Sequence, residues 1–278
     1  MKNQYLPIIA LSMIIAMSAC DNQVSEIQGN DELDVKSEAF TESIYEDTEA
    51  LTTVLSLASD PALGGRIASI DDKLCDATVI TLLNNDPANS DTVVLDFGTE
   101  GCLDLKGNTR KGSITLIYSG DRRISHTVIF ADFYLNGKSI EGTRTVNRTS
   151  LLPLTTEITL TDGKITWPDN SFATREASHT RIYNIDLQNP QSETIVIQQG
   201  GSATGVNRKG RNYSVEITKD IVFKRGCIEL PIFIPVSGTK VIQAGARTIT
   251  IDYGDGSCDN KATITVNGES KEISLTED

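Results

Sequence analysis

The chain has 278 residues, of which 38% are hydrophobic and 23% charged, and its formal net charge is −13 at pH 7. This length allows one large globular body or two small ones. The acidic balance, without a basic face interleaved with aromatic residues, argues against a nucleic-acid-binding protein.

The first nineteen residues predict an export signal. Lys2 precedes a short apolar run over residues 6–16, and Ser18 and Ala19 stand directly before Cys20. Because this run is too short to cross a bilayer comfortably, we expect residues 1–19 to be cleaved. The small residues before Cys20 favour acylation of its thiol, which would attach the chain to a membrane through lipid alone. Cleavage of an ordinary signal peptide near Ala19 is the alternative.

An acidic tether is predicted next, over residues 20–37. Residues 21–50 contain ten acidic side chains and a single base, Lys36. Like charges extend and solvate a linker, and they repel anionic lipid and nucleic acid. The segment therefore indicates a solvated spacer between the membrane and the body.

An amphipathic helix is predicted over residues 38–60. Apolar residues, among them Phe40, Ile44 and Leu51, recur at spacings of three, four and seven, which is one face of an α-helix. Ser37 is placed to cap the start, and Asp60-Pro61 is placed to end the helix. A helical stripe of this kind is typical of a face that docks against the body.

Residues 61–278 are predicted to form a β body. Short runs of Val, Ile, Thr, Phe and Tyr alternate with turn pairs, which predicts successive antiparallel hairpins. We expect a mainly β fold in which an antiparallel meander forms a sandwich or half-open barrel, with one N-terminal helix. Two tandem β domains that meet near residues 184–194 are the alternative. The turn pairs are Asn136-Gly137, Asp162-Gly163, Lys209-Gly210 and Asn267-Gly268, and the predicted strands include 154–161, 164–177, 193–206 and 228–235.

The body contains an internal duplication. TVVLDFGTEGC at 92–102 matches TITIDYGDGSC at 248–258, and another cysteine precedes each copy. The pseudo-repeat halves cover about 61–183 and 193–278. Apart from Cys20, the chain has four cysteines, which allow three pairings. The duplication favours one disulfide within each copy. We therefore predict Cys75–Cys102 and Cys227–Cys258, each contributing about 3–4 kcal/mol in the chain-entropy model.

The second copy raises the question of a calcium site. Asp252, Asp255 and Asp259 are closely spaced in a Gly-rich loop, and carboxylates in a loop are typical calcium ligands. In the first copy only Asp252 has an acidic counterpart, Asp96. Asp side chains also cap turns, and Gly supplies positive φ. We therefore predict a turn and no cofactor, with calcium as the alternative.

Two further features are candidates for ligand binding. Trp167 lies beside a proline, so an exposed ring could stack on a sugar. Arg208, Lys209 and Arg211 form a basic hairpin tip that could receive a phosphate or an acidic sugar. Burial of the tryptophan and simple solvation of the tip are the competing interpretations. We assign no catalytic residue, because the chain contains no nucleophile-elbow, phosphate-loop or zinc-protease motif.

Several of these motifs together resemble a known family. The signal ending in Cys20, the acidic helix, DFGTEGC followed by GNTRKGSI, FYLNGKSIEGTRTV and TITIDYGDGSCDNKATITVNG are similar to a family of uncharacterised exported lipoproteins of Bacteroidetes-type bacteria. The resemblance covers most of the chain and implies an anchored, β-rich protein with two disulfides. It implies no activity.

Three classes of function follow from the sequence. We expect a non-enzymatic binding or structural protein of the cell envelope, lipid-anchored at the outer membrane and facing the periplasm or the cell surface. The partner, whether protein, glycan or lipid, is not identified. A carrier that holds a lipid or other amphiphile in an apolar groove is the second class. A glycan hydrolase with two unlocated carboxylates is the third.

Overall fold

The computed structural model describes residues 27–58, 74–83, 92–119, 125–186, 188–189, 192–227 and 234–275, with side chains of the helix described through Thr52. These residues form one helix and one antiparallel sheet of 15 strands. The predicted mainly β fold is therefore confirmed. The export signal, Cys20, Asp60-Pro61 and most of the predicted strand 228–235 lie outside the described residues.

The helix α1 spans Gly29–Ala58 and begins nine residues before the predicted start. Asp31 accepts a hydrogen bond from the backbone N–H of Gln28 at 2.9 Å, and the acidic first turn suits the positive end of the helix dipole. Ser37 is inside the helix, so its prediction as the cap was wrong. The prediction of a solvated tether over 20–37 was also wrong from Gly29 onward, because the acidic residues have partners on the sheet.

The strands follow one another along the sheet almost in chain order. They are β1 Val79–Leu83, β2 Thr92–Asp96, β3 Cys102–Leu103, β4 Thr109–Ser119, β5 Ser125–Leu135, β6 Lys138–Leu151, β7 Leu154–Thr166, β8 Phe172–Asn184, β9 Thr194–Ile197, β10 Ser202–Val206, β11 Asn212–Lys224, β12 Ser237–Ala244, β13 Arg247–Asp255, β14 Lys261–Val266 and β15 Glu269–Ser274. β3 pairs with β4, while β9 and β10 both lie between β8 and β11. The alternative of two tandem domains is wrong, since hydrogen bonds cross the proposed boundary.

One predicted hairpin is instead a bulge. Asp162 has a φ of 54°, as a turn residue would, but it lies inside the continuous strand β7, where the register with β8 skips between Leu160 and Gly163. The chain reverses later, over residues 167–171. Similar skips occur at Gly112, Gly142 and Gly238. Such bulges increase local twist and curvature, which lets the sheet coil around α1.

The core has two parts that correspond to the two pseudo-repeat halves. One cluster joins β2 to β8 with Ile44, Tyr45 and Leu51 of the helix. The other joins β9 to β15 with Val35. The first half of the sheet therefore packs on the later part of α1, and the second half packs on its beginning. A single helix connects two hydrophobic cores.

The cysteine and turn predictions from the duplication are confirmed. The disulfides are Cys75–Cys102 and Cys227–Cys258. The two copies also share a turn: Gly98 N–H donates to Asp96 Oδ1 at 2.8 Å, and Gly254 N–H donates to Asp252 Oδ1 at 2.8 Å. Among the described residues, no helix is both long and apolar enough to cross a bilayer.

Candidate functional site: an acidic helix enclosed by a basic sheet

Six acidic side chains form a stripe along α1, and all six residues are buried. Their spacing of three or four residues places them on one face of the helix. The basic residues that meet this stripe come from strands far apart in the sequence and, for Arg211, from the turn before β11. The acidic residues are Asp31, Asp34, Glu38, Glu42, Glu46 and Glu49, and the basic residues are Arg144, Arg175, Arg181, Arg211, Lys240 and Arg247.

The middle of the stripe is held by β8 and β12. Arg175 lies 2.9 Å from Glu38 and 3.5 Å from Glu42, and Lys240 pairs with both carboxylates. Burial alone would raise the pKa of Glu42, but the charges of Lys240 and Arg175 outweigh burial and lower it. Burial would lower the pKa of Lys240, yet Glu38 and Glu42 raise it. Glu42, Lys240 and Arg175 are therefore charged at neutral pH.

The later part of the stripe is held by β6 and β8. Arg181 donates to both carboxylate oxygens of Glu46, at 2.6 and 2.7 Å. Arg144 lies 3.1 Å from Glu49 and donates to the carbonyl oxygen of Tyr45 at 2.6 Å. These bonds use helix side chains and helix backbone together, so they fix both the rotation and the height of α1 inside the sheet.

The beginning of the stripe is held by β13 and the turn before β11. Arg247 donates to Asp31 at 2.5 and 3.0 Å, and Arg211 lies 2.5 Å from Asp34. Burial alone would raise the pKa of Asp31, but its bonds to Arg247 and the Gln28 backbone lower it. Burial dominates at Asp34 and raises its pKa despite Arg211.

A further buried cation lies on the first half of the sheet. Arg110 on β4 is fully buried and lies 2.7 Å from Asp47 of the helix and 3.2 Å from Asp104. Asp104 also accepts bonds from the backbone N–H of Lys106 and Asn108, at 2.9 and 2.7 Å. Arg110 thus ties α1 to the tight turn between β3 and β4.

Both histidines lie near this network. His126 is buried beside Tyr118, with ring centroids 5.5 Å apart. His179 is 3.3 Å from Arg181, and burial together with the nearby arginines lowers its pKa well below the ordinary value. Burial also lowers the pKa of His126. Both imidazoles are therefore neutral at pH 7.

The carboxylates of the network are used to hold α1 against the sheet. They are buried and paired with arginine or lysine, so none is available to a substrate. In the described part of the chain, no three His, Cys, Asp or Glu side chains are grouped so as to hold a metal ion.

The predicted binding residue Trp167 is buried, so the interpretation as an exposed sugar-stacking ring was wrong. Its side chain is 6% exposed and lies 6.0 Å from the ring of Phe40 in α1. The guanidinium of Arg208 covers the ring at 4.6 Å. Trp167 therefore packs against α1 and helps to hold the helix on the sheet.

The predicted basic tip is mostly engaged within the molecule. The guanidinium of Arg208 lies 2.9 Å from Asp169. The backbone N–H of Arg208 donates to the Ser37 hydroxyl at 3.3 Å. Arg211 pairs with Asp34 and donates to the carbonyl oxygen of Asn30 at 3.1 Å. Lys209 is exposed. Two of the three cations are thus paired within the molecule, Arg208 with Asp169 and Arg211 with the helix.

The three aspartates of the second copy each bind nearby chain atoms. Asp252 accepts from Gly254 N–H, Asp255 accepts from the Ser257 hydroxyl at 2.8 Å, and Asp259 accepts from Lys261 N–H at 3.2 Å. Hydrogen bonds of this kind stabilise turns, because each carboxylate accepts from a residue two positions later in the same turn. The predicted turn is what the structure contains at this position.

The residues that the sequence did not reveal are the basic ones inside the sheet. Arg175, Arg181 and Lys240 occupy the same alternating, buried positions of β8 and β12 as Ala173, Tyr183 and Ile242, which places them on the inward face. A cation at an inward position of a strand is a signal that a buried anion must be nearby. The acidic positions of α1, spaced by three and four, supply that anion.

A polar cleft of about 460 Å³ lies elsewhere, where β9 gives way to β10. Glu157, His179 and Asp220 line it together with Gly200 and Gly201. Asp220 accepts a bond from Gln199 N–H at 2.8 Å, which holds the loop at residues 198–201.

Comparison with protein-family models, with curated proteins and with solved structures finds no match to this chain.

Proposed function

We propose that the protein is a lipid-anchored, non-enzymatic lipoprotein of the cell envelope, held at the outer membrane through Cys20, that acts as a binding or structural protein through its outer surface. The observation that carries this proposal is the docked helix. Buried ion pairs with the sheet hold α1 in the interior, so a partner meets the outside of the sheet. The pattern before Cys20 and the resemblance to exported lipoproteins support the anchor.

The amphiphile carrier and the glycan hydrolase each require a feature that the docked helix does not supply. An amphiphile carrier would require α1 to leave the interior, which would strip the carboxylate partners from four buried cations at once, namely Arg144, Arg175, Arg181 and Lys240. A glycan hydrolase would require two cooperating carboxylates. Glu157 and Asp220 at the cleft are the pair nearest to that requirement.

The anchor is tested by metabolic labelling. We would express the chain in a diderm bacterial host with an alkyne fatty acid and compare it with Cys20→Ala. We expect label and outer-membrane fractionation for the parent, and neither for the variant, because the thiol is the acylation site. Equal labelling or equal membrane retention of both chains would contradict the proposal.

The mode of action is tested by native mass spectrometry of the mature chain. We expect the mass of the protein with two disulfides and its anchor alone. A co-purified amphiphile released on denaturation would instead support the carrier. Hydrolysis of envelope glycans that Glu157→Gln or Asp220→Asn abolishes would support the hydrolase.

A further inference from the structure

We propose that strand β1, at one edge of the sheet, pairs antiparallel with β1 of a second copy of this chain. The two copies form a dimer with its twofold axis at Thr81, and the sheet of one copy continues into the sheet of the other. This inference goes beyond the proposed function and does not depend on the anchor at Cys20.

β1 is an edge strand whose side chains are uncovered on both faces of the sheet. In the described part of the chain it pairs with β2 alone, and all five of its residues are exposed. Val79 is 58% exposed and Leu83 is 48% exposed, and the sequence VITLL contains no charge. An exposed apolar edge strand offers its free N–H and C=O groups to a strand of another chain. β1 therefore presents a site for the addition of a strand.

The inner face of β1 continues the hydrophobic core. Residues directly opposite each other on antiparallel strands share one face of the sheet. Ile80 lies opposite Leu95, which in turn lies opposite Ile114 on β4. Leu95 and Ile114 are fully buried, whereas Ile80 is 47% exposed. This apolar row therefore runs to the edge of the sheet and is left half uncovered there.

The next inward-facing position of β1 repeats the pattern. Leu82 lies opposite Val93, which lies opposite Leu116. Val93 and Leu116 are buried in the first core cluster, and Leu82 is 54% exposed. Ile80 and Leu82 are thus core-facing side chains that the described chain leaves half exposed. A strand added beside β1 would cover both.

A second copy of the chain supplies a complementary strand. Five residues overlap fully in an antiparallel self-pair only when Thr81 faces Thr81 of the second copy. In that register Ile80 lies opposite Leu82 of the second copy, so each apolar row passes from one core into the other. Val79 and Leu83 meet in the same way on the outer face. Like charges directly opposite each other would oppose self-pairing, and β1 contains none.

The other edge of the sheet is protected against such pairing. β15 contains Lys271 and Glu272, which are exposed and pair with Glu32 and Lys261. Charged side chains on an edge strand prevent it from pairing with another chain. β1 has no such protection, so the interface between copies forms at β1 and not at β15.

The size of the contact sets the expected strength of the dimer. Two five-residue strands bury less surface than a standard interface of about 1,600 Å². We therefore expect a reversible dimer with a dissociation constant in the micromolar range. Sedimentation velocity of residues 20–278 carrying Cys20→Ala, from low to high micromolar concentration, measures it.

Single cysteines test the register. In the Cys20→Ala background, Thr81→Cys should give a disulfide-linked dimer on oxidation by copper phenanthroline in air. Directly opposite Cα atoms lie about 4.5–5.5 Å apart, which a disulfide can bridge. Val79→Cys should not crosslink alone, because Val79 lies opposite Leu83 of the second copy. A mixture of Val79→Cys and Leu83→Cys chains should crosslink. Ser270→Cys, an exposed thiol on β15, is the control for unspecific oxidation.

A charge at the twofold axis tests the interface without crosslinking. Thr81→Lys places two like charges directly opposite each other, so the dissociation constant should rise about fivefold or more. The melting temperature of the monomer should stay unchanged, because this side chain is exposed. Ser270→Lys is the matched control on the other edge strand and should leave the dissociation constant unchanged.

Several results would overturn the proposal. Monomeric sedimentation at every concentration would do so, and an extended segment of another protein would then be the remaining occupant of β1. A dimer that Thr81→Cys does not crosslink, or that Thr81→Lys does not weaken, would place the interface elsewhere. Equal crosslinking of Thr81→Cys and Ser270→Cys, or crosslinking of Val79→Cys alone, would contradict the register. Because every chain in these experiments lacks Cys20, failure of the anchor is a separate result.

Discussion

At the residue scale, the pair of Glu42 and Lys240 illustrates why the helix stays in place. Both side chains are buried, and the charges of Lys240 and Arg175 lower the pKa of Glu42 against the effect of burial. Such a pair adds little stability beyond an apolar pair of the same shape, but removal of one partner leaves a charge stranded in the interior. The network therefore specifies the position of α1 more than it adds to the free energy of unfolding.

We predict that Glu42→Gln lowers the free energy of unfolding by about 3 kcal/mol, because it leaves Lys240 with only Glu38 beside it. The measurement is urea denaturation. Glu272→Gln is the matched control, since Glu272 pairs with Lys261 at 2.7 Å in solvent, and it should cost at most about 1 kcal/mol. Adding Lys240→Met to Glu42→Gln should recover part of the loss. Equal effects of Glu42→Gln and Glu272→Gln would contradict the buried-charge argument.

A second residue-scale prediction concerns two glycines with the same backbone conformation. Gly112 and Gly107 have φ values of 80° and 83°. A Cβ on Gly112 would lie 1.9 Å from the carbonyl oxygen of Asp132, whereas a Cβ on Gly107 meets nothing within 4 Å.

Gly107→Ala should therefore cost only the left-handed backbone, about 1–2 kcal/mol. Gly112→Ala should cost at least twice as much, or prevent folding, because the bulge in β4 must move. Thermal unfolding of both variants would measure this. Similar melting temperatures would mean that the neighbouring strand yields easily.

At the element scale, α1 depends on its surroundings. It contains several Ser and Thr residues, which are weak helix formers, and the hydroxyls of Thr41, Ser43 and Thr48 bond back to carbonyl oxygens of the helix itself. A helix of this composition would be marginal in isolation. Its stability therefore comes from the sheet that encloses it.

We predict that backbone amides of α1 from Thr41 to Thr52 exchange with deuterium only on global unfolding, as slowly as those of β7 and β8. Nearly every residue in this stretch is buried, and the ion pairs must break together. Exchange measured by mass spectrometry would test this, with residues 29–33 at the exposed start of the helix as the faster internal reference. Exchange over 41–52 that is much faster than in β7 would show that α1 opens alone.

Much of the strand pattern could be predicted from the sequence, because alternation and turn residues are local signals. The cysteine pairs and the Asp-x-Gly turns were found from the duplication. The pair Asp162-Gly163 was misread as a hairpin, since positive φ serves a bulge as well as a turn and only the register with β8 distinguishes them. The buried stripe was missed for another reason. Its partners are 95 or more residues away, as for Glu49 and Arg144, so the acidic segment reads locally as a solvated linker.

At the scale of the whole molecule, the buried titratable groups predict loss of stability in acid. Burial lowers the folded-state pKa of His126 and His179 below the ordinary value of 6.5, so only the unfolded chain gains these protons as the pH falls. The pKa values of Asp31 and Glu42 are also lowered in the folded state. Stability from these carboxylates is lost as the pH falls below about 4.5. Asp34, with its raised pKa, opposes this trend.

We therefore expect the free energy of unfolding to fall from pH 6.5 downward, by up to about 1.4 kcal/mol per pH unit for each histidine. Urea denaturation at several pH values measures it. In the double variant His126→Gln, His179→Gln the decline above pH 5 should disappear, while the decline below about pH 4.5 should remain. A flat profile between pH 7 and 5 in the parent chain would contradict the lowered pKa values of the two histidines.

The position of α1 has a consequence for the order in which the native structure can arise. Asp31 binds Arg247, 216 residues later, and Glu32 binds Lys271, 239 residues later. As the chain is synthesised, its earliest described element must wait for its latest strands. Arg144, Arg175 and Arg181 can meet the later part of the helix early, but Asp31 and Glu42 lack Arg247 and Lys240 until β12 and β13 exist. The docking of α1 is therefore completed only by the last strands, which act as the closing event for the beginning of the helix.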